Sequence, residues 1–228
     1  MRRRAVLAAV LLPVAVVACS GEKKAAADPA AALAAAKTTL DGAQAVTLDL
    51  KSDKPIPSGH NGVSAAKGTG LIDPTTPKFQ GTVSAVVSGA PVTTDVITIG
   101  DTTWMKLFTP TFTKVDLKAL NAPNPGGFFK PDTGLSQILA KTSDAAGGTE
   151  KRFGKEVLTA YTGKVPGAVV KSLLNLGADT STYAAEFGIA EGNQLRTAKL
   201  TGPFYDTGDS SYEIVLTDYG KTVEIAQP

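Results

Sequence analysis

Few residues of this 228-residue chain could do chemistry, and each has a plain alternative. Cys19 is its one cysteine and His60 its one histidine. Cys19 follows Val16-Val17-Ala18, a lipobox pattern in which the thiol takes a diacylglyceryl group and becomes the first residue of the mature chain. The competing reading is an ordinary cleaved export signal with an incidental cysteine, but a lone Cys at that boundary favours lipid attachment. His60 would be the one imidazole available to a Ser-His-Asp arrangement. It stands in a Gly/Pro/Ser turn with no Gly-x-Ser-x-Gly elbow, so a solvated turn histidine fits better. Ser64-Ala65-Ala66-Lys67 matches the Ser-x-x-Lys of penicillin-recognising enzymes, yet it enters a predicted strand instead of opening a helix and has no Lys-Thr-Gly partner. Asp132-Thr133-Gly134 and Asp206-Thr207-Gly208 resemble the paired loops of aspartic proteases, where two carboxylates share one proton. Pro131 before the first and Asp209 after the second suit a helix start and a hairpin tip instead. The enzyme reading therefore requires Asp132 and Asp206 to lie within hydrogen-bond reach of each other. One His and one lipidated Cys make no zinc set, and no phosphate-cradling Gly-x-x-x-x-Gly-Lys loop occurs. We assign no catalytic residue, no metal and no cofactor.

The elements around these residues decide where the protein works. Arg2, Arg3 and Arg4 precede an apolar run from Ala5 to Ala18, which at 1.5 Å per residue spans about 21 Å, short of the ~30 Å bilayer core. This reads as a cleaved leader over residues 1–18, followed by a small, polar tether over 19–27 and a single domain over 28–228. Removing the three leader arginines leaves 20 basic against 21 acidic residues, a net charge of −1. That balance argues against a nucleic-acid partner, which needs clustered Lys and Arg. Beyond Cys19 no cysteine remains, so burial and hydrogen bonding must hold the exported fold.

Asp28-Pro29 opens a helix through the Ala-rich run to Leu40. Val46 to Leu50 alternates as a half-buried strand. After a turn through Pro55 to Gly62, strands are predicted at Ser64–Ile72, Lys78–Ser88, Val92–Ile99 and Thr103–Phe108, with connections short enough for antiparallel neighbours. Val83, Ala85 and Val87 share one face, as do Ile97 and Ile99. Residues 121–129 form an irregular Pro/Gly-rich stretch. A short amphipathic helix at Leu135–Ala140 is expected to run out near Gly147-Gly148, and strand character returns at Lys155–Val165. A helical run after Pro166-Gly167 presents Val169, Val170, Leu173, Leu174 and Leu176. Strands at Tyr183–Ala190, Gln194–Thr201 and Ser211–Thr217, with a further candidate at Lys221–Ala226, complete an α+β fold: one curved antiparallel sheet with helices on its concave apolar face.

Leu216-Thr217-Asp218-Tyr219-Gly220-Lys221-Thr222-Val223-Glu224-Ile225, Pro131-Asp132-Thr133-Gly134-Leu135, Thr162-Gly163-Lys164-Val165-Pro166 and the lipobox together resemble the LppX, LprA, LprF and LprG lipoproteins of mycobacteria and related actinobacteria. The similarity runs in order from about Leu33 to Pro228. It implies a β half-barrel closed on one side by helices around a large apolar cavity, and a role in carrying or presenting acylated lipids or glycolipids between membrane layers. It also implies an inner-membrane anchor through Cys19 on the periplasmic face, with a membrane transporter as a further candidate partner. Val83 falls where the family lines its cavity; Ala85, Val87, Ile97, Ile99, Leu135, Ile138, Leu139, Val169 and Leu173 are the other lining candidates. Each is equally an ordinary core residue, so a non-catalytic envelope scaffold with a filled core remains the rival reading. The stretch at 121–129 is a candidate lid with Phe128 and Phe129 facing the membrane.

Overall fold

Asp28 opens the fold as its sequence suggests: its Oδ1 accepts from the Ala30 N–H at 3.2 Å and caps helix α1, Pro29–Asp41. The computed structural model describes residues 28–107 and 109–228, so Cys19 and the rest of residues 1–27 lie outside the described residues, as does Phe108 at the end of a predicted strand. Leu33, Ala36 and Leu40 recur on one side of α1 and are buried.

Eleven strands follow: β1 Ala45–Ser52, β2 Gly62–Leu71, β3 Lys78–Val87, β4 Ala90–Ile99, β5 Thr102–Met105, β6 Thr113–Val115, β7 Ser143–Phe153, β8 Glu156–Pro166, β9 Thr182–Ala190, β10 Gln194–Tyr205 and β11 Gly208–Thr217. They form one antiparallel sheet in the order β6-β5-β4-β3-β2-β1-β11-β10-β9-β8-β7. The last strands return to pair with β1, so the chain's two halves are stitched through β1 and β11, with Leu48 opposite Leu216 and Leu50 opposite Ile214. The sheet is curved and unclosed, with β6 and β7 as its free edges. Helices are few. Between β6 and β7 come a 3₁₀ turn at Pro125–Phe129 and the short α2, Gln137–Ala140; between β8 and β9 comes α3, Gly167–Leu174.

Two predicted elements differ. Residues 143–153 form β7, where the sequence reads as a fading helix: the Ala-Ala-Gly-Gly run has no apolar alternation to mark a strand. Two register shifts and positive φ at Gly147 and Gly148 accommodate it as a bulged edge. Residues 221–226 form no strand. They return across the outside of the sheet, where Ile225 is buried and its carbonyl accepts from Lys78 Nζ at 3.1 Å.

The concave face carries the main core, and its floor is shaped by missing side chains. Gly68 and Gly81 face each other across β2 and β3, and Phe79 lies over both. A Cβ at Gly70 would fall into the ring of Phe129, which stacks on Phe79 with centroids 6.0 Å apart and planes 10° from parallel. The two rings thus lie flat on a bare stretch of backbone. Gly70→Ala is expected to unseat Phe129 at a cost of about 1–3 kcal/mol, the usual range for overpacking. Urea denaturation checks this, and an unchanged midpoint would show that the ring sits elsewhere.

Candidate functional site

Where the glycines of β2 and β3 give way to Ala66, Val63, Val83, Ala85 and Val87, the concave face leaves room. An apolar pocket of about 250 Å³ occupies it. Leu48 and Leu50 of β1, Val92 and Thr94 of β4 and Met105 of β5 complete the walls, and Phe79 and Phe128 bound its inner end. The roof comes from the segment after β6, through Leu120, Ala122, Pro123 and Pro125, together with Leu174 of α3. Thr94 is the sole polar residue of the lining, and its Oγ1 is already spent on the Asp95 carbonyl at 3.2 Å. No lining side chain is ionisable. Such a site can bury hydrocarbon but cannot move a proton or hold a phosphate.

The roof is tied to the end of α3. Asn175 follows α3 in the left-handed conformation with φ 55°, and Asn121 adopts φ 51° in the roof. Asn tolerates this region better than bulkier residues. The geometry brings the two amides together: Asn175 Nδ2 lies 3.0 Å from both the backbone carbonyl and the Oδ1 of Asn121. Both residues border a smaller void of about 50 Å³, shared with the pocket-lining residues Val63, Ala85 and Val87.

The cavity candidates separate into distinct places. Val83, Ala85 and Val87 line the pocket. Register puts Ile97 and Ile99 on the opposite face, because Val83 pairs with Thr94 while Gln80 pairs with Ile97 and Lys78 with Ile99. Leu135, Ile138 and Leu139 are buried in the packed core, where α2 meets α1. Leu173 is also buried in that core and Val169 packs against it, whereas the next residue on α3, Leu174, reaches the pocket. The expectation that Phe128 and Phe129 face a membrane is overturned: they are 8% and 3% exposed, Phe129 because the glycine floor at Gly70 gives its ring a surface to pack on, and Phe128 because it turns into the pocket lining.

The carboxylate pair does not assemble. Asp206 stands in the β10–β11 turn with its Oδ1 3.0 Å from His60 Nε2, and no hydrogen bond joins it to exposed Asp132 among the described residues. Ser64 lies within β2 and donates to the Ser84 carbonyl at 3.2 Å, as a strand residue does. Among the described residues no group of three or more His, Cys, Asp or Glu could hold a metal. The sequence marked 121–129 as a candidate lid, and that stretch contains the roof residues Ala122, Pro123 and Pro125, but it did not single out Leu120 or Leu174 as lining. The roof residues are scattered Ala, Pro and Leu with no period to read, although Leu48 and Leu50 were marked as inward by the alternation of β1.

Comparisons place this geometry among known proteins. The model of the LppX_LprAFG lipoprotein family matches residues 28–225. The crystal structure of LprF from Mycobacterium bovis superposes with a TM-score of 0.72 at 13% identity, covering 88% of this chain and 96% of that one. LppX from Mycobacterium tuberculosis superposes with a TM-score of 0.60 at 16% identity, over 87% and 98% of the two chains. At these identities the likeness is one of fold. No curated protein sequence matches the chain.

One hydrogen bond fixes the pocket wall at the bulge of β2. The buried Tyr212 hydroxyl donates to the Val63 carbonyl at 2.7 Å and meets the Tyr205 hydroxyl at 3.2 Å. Burial, then the neighbouring Tyr205, raise the Tyr212 pKa well above the ordinary 10.0. The folded state therefore holds a proton that the unfolded chain gives up. Stability should be level below about pH 10 and fall above it, by up to ~1.4 kcal/mol per pH unit for this group. Tyr212→Phe should cost about 1–3 kcal/mol at neutral pH by stranding the Val63 carbonyl, and should flatten the alkaline decline. Urea midpoints across the alkaline range check both; an equally steep decline in the variant would assign it to other groups.

Proposed function

The chain belongs to the LppX_LprAFG lipoprotein family, and from that premise we propose that it takes hydrocarbon chains of an acylated lipid or glycolipid into the concave pocket, and carries or presents them between membrane layers. The observation that carries this is the lining: an apolar hollow beneath a roof of irregular chain, with one Thr and no charge. At about 250 Å³ it falls just below the ~300–1,000 Å³ of small-molecule pockets, so in this form it suits part of one acyl chain. A lipid with more chains needs the roof to swing away from Asn175.

The energetics suit exchange. Burying a sixteen-carbon chain is worth about 13 kcal/mol at ~0.8 kcal/mol per methylene, and a bilayer offers nearly the same. Transfer between pocket and membrane is then close to balanced, and direction comes from an acceptor or a transporter. Neither a nucleophile nor a metal is needed. Cys19 in this reading carries the diacylglyceryl anchor and holds the domain on the extracytoplasmic side of the inner membrane. No helix among the described residues is long and apolar enough to cross a membrane.

Solvent extraction and mass spectrometry of residues 28–228 should release acylated lipid in stoichiometric amount. Ala85→Phe, which places a ring in the hollow, should lower that yield several-fold while leaving the fold intact by circular dichroism. Repeated absence of lipid from the parent protein, with no uptake on reloading, favours the scaffold with a filled core. A full-length Cys19→Ala variant should stay lipid-loaded but leave the membrane fraction; loss of loading would mean that anchor and pocket act as one.

A further inference from the structure

We propose that the tip of the β7–β8 hairpin, Lys151 to Val157, docks the folded domain on an anionic lipid surface. Phe153 at 45% and Val157 at 52% exposure are the exposed large hydrophobic residues among those described, and both belong to this one tip. They project from opposite faces of the ribbon: Phe153 pairs with Glu156 and Lys151 with Leu158, whereas Val157 pairs with Arg152. A flat partner surface would cover one face and leave the other wet. A tip that enters a fluid interface edge-on buries both, as amphipathic interfacial segments do.

The charges at the tip point the same way. Lys151, Arg152 and Lys155 are exposed, and none of them enters an ion pair among the described residues. Glu156 is already spent, since Arg196 holds it through two contacts of 3.1 and 3.2 Å, Nε to Oε2 and Nη2 to Oε1. Glu150 remains as the one acidic neighbour on β7. The result is a short apolar wedge ringed by unpaired cations, the pairing that anionic headgroups above an acyl boundary complement. Gly154, with φ 59°, makes the tight turn that brings Phe153 and Lys155 to the apex. β8 then leads away from the tip to Pro166, where α3 begins and carries Leu174 to the pocket and Asn175 to the roof. The tip and the Asn121–Asn175 tie of the roof therefore sit toward opposite ends of β8, and a domain docked by the tip keeps that tie off the surface it rests on.

This surface does not depend on the pocket, so the two fail separately. Residues 28–228 form one continuous sheet with its own core, which makes this segment the form to test. Co-sedimentation at low salt with vesicles of phosphatidylcholine plus phosphatidylglycerol should show binding that fades with added salt, and phosphatidylcholine alone should bind little. Each cation near an anionic leaflet contributes about fivefold in partitioning, so Lys151→Gln/Arg152→Gln/Lys155→Gln should weaken binding by more than about tenfold. Phe153→Ser/Val157→Ser should weaken it several-fold, with thermal midpoint and extractable lipid unchanged in both variants. No binding to the anionic vesicles, equal binding to both vesicle types, or full binding by the triple variant would each overturn the proposal. Loss of extractable lipid with docking intact would instead count against the pocket.

Discussion

The contact between bare backbone and two aromatic rings decides the rest of this structure. Phe79 and Phe129 rest on Gly68, Gly70 and Gly81, close enough that a methyl group at any of the three would collide with a ring or with the facing strand. A concave sheet has more room than its own side chains fill. Here the rings seal one end of that room, and a few residues further along β2 and β3 the glycines are replaced by Ala66, Val83, Ala85 and Val87, too small to seal the other. The same sheet is therefore solid core beneath α1 and α2 and hollow beneath the roof. The packed end and the apolar pocket thus divide one sheet between them.

The hollow end is closed by weak means. Its roof segment contains no regular element between β6 and the 3₁₀ turn, and the polar attachment that ties it to α3 runs from one asparagine amide to another residue's two oxygens at an exposed site. Exposed neutral hydrogen bonds contribute about 1 kcal/mol or less, since water competes for both partners. The walls, by contrast, are strands paired on both sides, with the β2 bulge held by a buried tyrosine. Rigid walls with a loosely tied roof are the distribution of stability expected of a container whose contents change.

Much of this was legible in the sequence. Alternation found the β1, β3 and β4 strands, the Asp28-Pro29 cap found α1, and Val83, Ala85 and Val87 were correctly grouped on one face. Pattern fails where position depends on pairing: Ile97 and Ile99 look identical to wall residues until the register of β3 with β4 turns them outward. It fails again for β7, whose Gly147 and Gly148 read as a breaker and act as a bulge. Phe128 and Phe129 misled for a third reason. Two aromatics among Pro and Gly look mobile when read locally, yet Phe128 turns into the pocket lining and Phe129 rests on Gly70, about sixty residues earlier, where the absence of a side chain leaves no apolar signal to find.

Geometry also bears on how strongly the hairpin must bind. On the proposed anchor at Cys19, the eight residues from Ser20 to Ala27 would separate lipid from domain, which bounds the separation at about 28 Å for any conformation. A domain held so close meets the surface at an effective concentration in the millimolar range. A contact that would be too weak to recruit a free protein is then enough to orient a tethered one. Orientation matters because the pocket is near energetic balance with any bilayer: a mouth that lies against the anchoring membrane would return its cargo as readily as it took it. With the hairpin tip set toward the membrane, as proposed, and α3 at the far end of β8, a partner on the opposite side would reach the Asn121–Asn175 tie of the roof first. On this proposal the anchor would fix which membrane the domain stays with, and the hairpin which way it faces.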